Sequence, residues 1–297
     1  MLDLSHIPSQ QQQTFTFYAT GNWQTWNKPR NAKMIEIFCL GGGAGGGVAG
    51  ISTFSKNGAG GGGSSGVVRG LIPAFLLPDT LYILVGKGGA GASTSGGVGG
   101  SGGISYISLQ ASTSEQTLIC KSSTLAPTGG NISAVNGGAG GTISVVSLSA
   151  FGNLGLFTAI AGVNGGGGGS NTGGAGVSQA ALGTNITTGG AGGGGSTNTA
   201  GVWGVGGSIT AASAILTNQV SGGQTVGADG SSGYGTLIPF CGTGGAGGAG
   251  RDGSTGAGGN GGNGFYGCGG GGAGASSTVV PRGGNGGDGL VIITVLC

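Results

Sequence analysis

The sequence predicts an all-β protein, a β-sandwich or jelly-roll-like framework carrying glycine-rich tracts packed as polyglycine II helices. Three observations lead there. Apolar runs of four to eight residues, rich in Val, Ile, Leu and Thr, recur along the chain, and Gly, Ser or Asn bound nearly all of them. Glycine supplies 83 of the 297 residues. Within the glycine stretches a triplet beat repeats, as GGAGGAG at 244–250, GGNGGNG at 258–264 and GGNGGDG at 283–289.

Taken in order, residues 1–13 are a polar, glutamine-rich arm, and 14–18 form a short strand. A turn-rich stretch at 21–29 holds Trp23 and Trp26, which are expected to pack against that first strand. The clearest strand is 33–40, where Ile35, Ile37 and Cys39 alternate with Met34, Glu36 and Phe38. Further strands are expected at 67–72, 81–85, 104–109, 117–120, 143–148, 156–160, 236–241 and 290–296. Only 208–220 carries a helical spacing, through Ile209, Ala212, Ile215 and Leu216. The division that follows is an N-terminal arm and docking segment at 1–30 and a glycine-rich β domain at 31–297.

Three residues per turn is the period of the polyproline II helix, which rises about 3.1 Å per residue and makes no internal hydrogen bonds. Its amides and carbonyls point outward and need partners. With two of every three positions lacking a side chain, neighbouring helices can approach closely enough to bond backbone to backbone. Collagen is excluded, because glycine does not fall strictly at every third position and only seven prolines are present. Ordering a glycine costs about 0.5–1 kcal/mol more than ordering an alanine. Tracts of this length therefore either order together in a hydrogen-bonded bundle, which the triplets favour, or remain loose loops.

Composition removes several function classes. Charged residues are 5% of the chain, with a net charge of +2. The nine basic residues are scattered singly and offer no stripe for phosphates, so no nucleic-acid partner is expected. The most apolar window, 67–85, contains Arg69, Pro73, Pro78 and Asp79, so no membrane insertion is expected. The N-terminus lacks the apolar core of a signal peptide, which points to synthesis in a host cytoplasm. The cysteines, Cys39, Cys120, Cys241, Cys268 and Cys297, show no metal spacing and read as small buried thiols. His6 is the sole histidine and lies in the arm, and no two carboxylates share an acid–base spacing. Neither an enzyme nor a cofactor is expected, and no catalytic or metal-binding residue is assigned.

The chain resembles a glycine-rich domain family found in tailed-phage fibre and other virion proteins. In that pattern an aromatic strand leads through a Trp/Pro segment to an apolar strand that runs into GGGxGGG, here Phe15-Thr16-Phe17, 23–29, and 35–40 followed by 41–47. A middle unit reads glycine, strand, proline turn, strand and VGxGG, here 66–71, Pro78-Asp79, 81–85 and 86–89. A closing GGxGGxG tract feeds a final strand, here 283–289 and 290–295. The resemblance implies a location in the virion and receptor binding like that of fibre-tip adhesins whose polyglycine II sandwiches present distal loops to the host. This chain departs from those adhesins in having more β structure between the tracts.

For contact with a receptor or partner, the sequence offers aromatics set within glycine: Trp203, Tyr234, Phe265 and Tyr266. Such rings stack on sugars or fill partner pockets. The competing assignment is that each fills a hole between thin layers. The expected function is that of a bacteriophage virion structural protein, a tail-fibre or surface-fibre component or adhesin, acting by non-covalent contact. Its expected partners are other virion proteins through the arm, a host surface glycan or outer-membrane protein, and further copies of itself. The alternatives are a capsid decoration protein and a secreted glycine-rich structural or ice-binding protein.

Overall fold

A computed structural model describes residues 12–132, 136–142, 156–180, 186–210, 216, 218–237 and 240–297. The strands are β1 (Gln13–Tyr18), β2 (Gln24–Asn27), β3 (Met34–Leu40), β4 (Val67–Pro73), β5 (Thr80–Leu84) and β6 (Tyr106–Ser108). They continue with β7 (Leu118–Lys121), β8 (Leu156–Ile160), β9 (Gly235–Leu237), β10 (Phe240–Gly242) and β11 (Leu290–Leu296). The fold is all-β, as the sequence predicts.

Two antiparallel sheets form the framework. One has the order β1-β11-β3-β4-β8 and the other β2-β5-β6-β7. At the centre of the larger sheet β3 and the C-terminal β11 pair from Met34↔Leu296 to Leu40↔Leu290, so chain ends distant in sequence meet in one ladder. Alternation then decides the faces. Ile35, Ile37 and Cys39 of β3 and Val291, Ile293 and Val295 of β11 point inward. They meet Trp26, Leu81, Ile83, Ile107 and Cys120 of the smaller sheet in one buried cluster, which makes the pair a sandwich. Phe15 of β1 packs edge-on to Trp26 at 6.0 Å, as expected for the first tryptophan-bearing segment.

The sequence-based segments need three adjustments. The stretch 21–29 is not all turn, because 24–27 forms β2, held by β5 through Trp26↔Leu81. The run 236–241 is not one strand: β9 and β10 pair with each other through Phe240↔Leu237. The ends of 208–220 do not belong to one helix, since Ile209 and Val220 exchange N–H···O bonds at 2.9 and 3.0 Å. A helix of that length would hold its ends more than 15 Å apart at about 1.5 Å per residue. Residues 211–215 and 217, and the expected strand at 143–148, lie outside the described residues. Two pieces of the 1–30 segment, β1 and β2, are built into the two sheets.

Between the strands the glycine tracts leave the sandwich and return as straight rods. Their hydrogen bonds show the three-fold helix directly. Along 42–48, the N–H groups of Gly42, Gly45 and Val48 donate to Gly103, Gly100 and Gly97. Those of Gly43 and Gly46 donate to Gly287 and Gly284, and those of Ala44 and Gly47 to Gly63 and Gly60. Successive amides thus point to three different neighbours, and every third returns to the same one. The carbonyls of the same rod accept from three more, for example from Gly89, Gly130 and Gly270. Rods 244–251 and 269–275 repeat the arrangement, so each interior rod is surrounded on all sides by backbone.

The glycines serve space rather than torsion. Only eight described glycines have positive φ, and they sit in turns such as Gly96, Gly201 and Gly253. In the rods, by contrast, a Cβ would meet a neighbouring carbonyl oxygen at about van der Waals overlap: 1.9 Å at Gly46, 1.8 Å at Gly247 and 2.0 Å at Gly193. The third residue of each triplet is handled differently at the edge. There, Asn285 Oδ1 accepts from Gly91 N–H at 2.8 Å and Asp288 Oδ1 from Gly88 at 2.7 Å. Asn263 Oδ1 accepts from Asn285 N–H at 2.8 Å. On outward-facing positions the Asx side chain replaces the bond that an absent rod would make.

Candidate functional site

The rods place a set of loops at the end of the bundle remote from the sandwich. A seven-residue tract advances roughly 20 Å at about 3.1 Å per residue, so loops that follow such a tract lie well away from the sheets. The loops are tied to one another. Ser52 N–H donates to Ser276 O at 3.2 Å, and Lys56 N–H to Ser196 O at 2.9 Å. Ile51 N–H donates to Ser95 Oγ at 2.8 Å, and Gly201 N–H to Asp252 Oδ1 at 2.5 Å. Segments around 51–56, 95, 196–203, 251–256 and 276–279 therefore make one surface. Its exposed apolar side chains include Phe54 (73% exposed) and Val279 (61%), with Ile51 and Val202 beside them.

Arg251 anchors this surface from below. Its side chain is 0% exposed, and Nη2 donates to Ser52 O at 3.1 Å and Phe54 O at 2.8 Å. The 51–54 turn, which presents Phe54, is thus pinned by a buried guanidinium. Burial lowers the Arg251 pKa from its ordinary value. Nε and Nη1 of Arg251 have no protein partner among the described residues.

The four aromatics named from sequence do not converge. Trp203 belongs to the remote loop surface, half-buried and bridged to Ser196. Tyr234 is half-buried against the bundle: its hydroxyl donates to Asn218 O and accepts from Asn218 N–H at 2.9 Å. Its ring packs against the small cluster of Ile209, Val220, Ala191 and Ala246. Phe265 and Tyr266 return to the sandwich end, where their rings meet edge-on at 5.1 Å. Phe265 also stacks on Phe240 at 6.3 Å, and Tyr266 lies 6.3 Å from Tyr18. Phe265 and Tyr266 fill the gap between the larger sheet and the rods, with Phe38, Leu40 and Leu290. Of the remote loop surface the sequence marks Trp203 but not Phe54. An isolated phenylalanine between Thr53 and Ser55 gives no periodicity, and the hydrogen bonds between loops reveal the patch.

A second concavity lies on the outer face of the larger sheet, where the β9–β10 ribbon leans over it through Phe38–Phe240 contact at 5.1 Å. This cleft holds about 330 Å³ and is lined by Thr14, Thr16, Glu36, Arg69, Leu237 and Thr294, among others. Arg69 spends its cation on the Phe38 ring, 5.3 Å away. Among the described residues no group of three or more His, Cys, Asp or Glu side chains could hold a metal ion. His6 and the rest of residues 1–11 lie outside the described residues.

The profile of a glycine-rich domain matches residues 18–296, nearly the whole chain. No curated protein matches the sequence.

Proposed function

The chain belongs to the glycine-rich domain family, and from that premise we propose that it is a viral structural protein, a tail-fibre or surface-fibre component of a bacteriophage virion that contacts the host by its remote loops. The observation that carries this reading is the mutual bracing of those loops on top of rods bonded on all sides. A bundle of bare backbone is stiff because each rod is bonded to its neighbours along its length. It therefore holds a loop surface at a fixed distance from the sandwich, and apolar groups exposed on loops set on a rigid scaffold mark a contact surface. The order of strand, glycine tract and closing tract that resembles phage fibre proteins supports the virion assignment. So does a charge content too low to keep separate molecules apart by repulsion. In this reading contact is non-covalent and made to a host glycan or outer-membrane protein, while the N-terminal arm docks on a neighbouring virion protein.

Two measurements test it. Mass spectrometry of purified particles is expected to find the chain in the virion, and its absence would remove the assignment. A binding assay of the isolated protein on host cells is expected to lose signal in Phe54→Ser/Val279→Ser with melting unchanged. Presence in the particle with no cell binding would assign the chain to fibre structure or capsid decoration instead. Thermal hysteresis with no trace in particles would favour the secreted, ice-binding alternative.

A further inference from the structure

Cys39 and Cys120 face each other across the interface between the two sheets. On β3, alternation sends Ile35, Ile37 and Cys39 into the core, and on β7 Cys120 enters the same cluster. Both thiols are 0% exposed. Contacts two residues farther along each strand fix the juxtaposition: Gly41 lies so near Ser122 that a Cβ on it would sit 2.5 Å from Ser122 Oγ. Ser105 bridges the same two strands. Its N–H donates to Ser122 Oγ at 3.0 Å and its carbonyl accepts from Ser122 N–H at 2.9 Å. That carbonyl also accepts from the Cys39 thiol at 3.6 Å. Burial first, then the neighbouring Cys120 thiol, holds the Cys39 thiol well above its ordinary pKa.

We propose that Cys39 and Cys120 form a disulfide that joins the two sheets when the chain meets a low-molecular-weight disulfide such as oxidised glutathione. The thiolate of one cysteine attacks a sulfur of the small disulfide, which gives a protein mixed disulfide and releases one small thiol. The second cysteine, as thiolate, attacks the protein sulfur of that mixed disulfide and releases the other small thiol. The two protein thiols lose two electrons and two protons, and one small disulfide is reduced to two thiols. Because both thiols are shut away from solvent in the folded state, exchange proceeds during folding or through opening of the sandwich. The bond would close the chain between 39 and 120 at the point where the 41–47 rod leaves β3. It would pin the two sheets at the root of the bundle, adding to the apolar packing, the Ser105 bonds and the Gly42–Gly103 and Gly289–Gly86 backbone bonds there.

The full-length protein, refolded in oxidised and reduced glutathione, alkylated and cut with trypsin, tests this directly. Cleavage after lysine and arginine places Cys39 alone in peptide 34–56 and Cys120 alone in peptide 88–121. The expected result is a linked 34–56/88–121 pair that dithiothreitol separates. A Tm higher by about 5–10 °C in the oxidised protein is expected to accompany it. Cys120→Ala is expected to abolish both the linked pair and the Tm difference. Recovery of Cys39 and Cys120 as alkylated thiols or glutathione adducts, or linkage of either to another cysteine, overturns the proposal. The peptide map of the unmutated chain decides the matter even where the variant folds poorly.

Discussion

Substituting Gly247 by alanine tests whether backbone contact between rods stabilises this protein. A Cβ at Gly247 would sit 1.8 Å from Gly192 O, roughly 1.6 Å short of the 3.4 Å at which ordinary contact begins. The obstacle is backbone, so no side-chain rotation relieves it. The 244–250 and 189–195 rods must separate locally, and the bonds joining them run from Ala191 N–H to Gly245 O at 2.9 Å and from Gly194 N–H to Gly248 O at 2.8 Å. A separation of that size takes both beyond bonding range, a loss of about 0.5–1.5 kcal/mol each. Overpacking strain adds about 1–3 kcal/mol, and the stiffer unfolded chain returns about 0.4–1 kcal/mol. The net expectation is a destabilisation of about 2–5 kcal/mol. Gly50 supplies the control: its φ is not positive, and a Cβ there would meet nothing nearer than Lys56 Nζ at 3.7 Å. Gly50→Ala is expected to be neutral or stabilising by up to about 1 kcal/mol. Urea unfolding followed by circular dichroism, comparing midpoints at constant m, measures both. Equal midpoints for the two variants would refute the claim that the rods are close-packed through their backbones.

Other consequences can be measured on the same material. Asn285→Ala removes the acceptor for Gly91 N–H and is expected to cost about 0.5–1.5 kcal/mol by thermal unfolding, while Asn285→Asp, which keeps an acceptor oxygen, stays close to the parent. Amide exchange is expected to be slow along 244–250 and 269–275 and fast at 253–256; uniform fast exchange across 242–289 would mean that the tracts are slack tethers. Burial pushes the Cys268 thiol up to about 12. Since the folded value lies above the ordinary thiol value near 8.5, this group's stabilising contribution is full below about pH 8.5 and is lost as pH rises toward 12. The matching observation is resistance of Cys268 to iodoacetamide in the native protein at pH 8 and rapid labelling in urea. Arg251→Met leaves the carbonyls of Ser52 and Phe54 without their donor and is expected to loosen the 51–56 turn, read as faster amide exchange there with little change in global melting.

Much of this architecture is legible in the chain before folding is considered. Alternation at 33–40 and the apolar run at 290–296 announce two strands with one buried face, and the triplets at 244–250, 258–264 and 283–289 announce a three-fold helix. Both are local periodicities, and local periodicity depends only on backbone geometry and on which side chains are apolar. Other features depend on what lies opposite. Trp26 reads as part of a turn because four residues of strand carry no pattern until β5 pairs with them. The run at 236–241 reads as one strand because its apolar content is continuous while its pairing is not. Tyr234 and the Phe265–Tyr266 pair look alike in sequence, aromatics flanked by glycines, yet they occupy gaps that exist only once rods and sheet have come together. The same holds for Phe54, Arg251 and the Cys39–Cys120 contact, whose partners lie tens to hundreds of residues away. Sequence by itself determined the long strands at 34–40 and 290–296 and the triplet rods, because period and side-chain size act within a few residues. Tertiary structure alone decided which rod lies beside which, since bare peptide groups bond to any neighbour of suitable spacing and carry no label of their own.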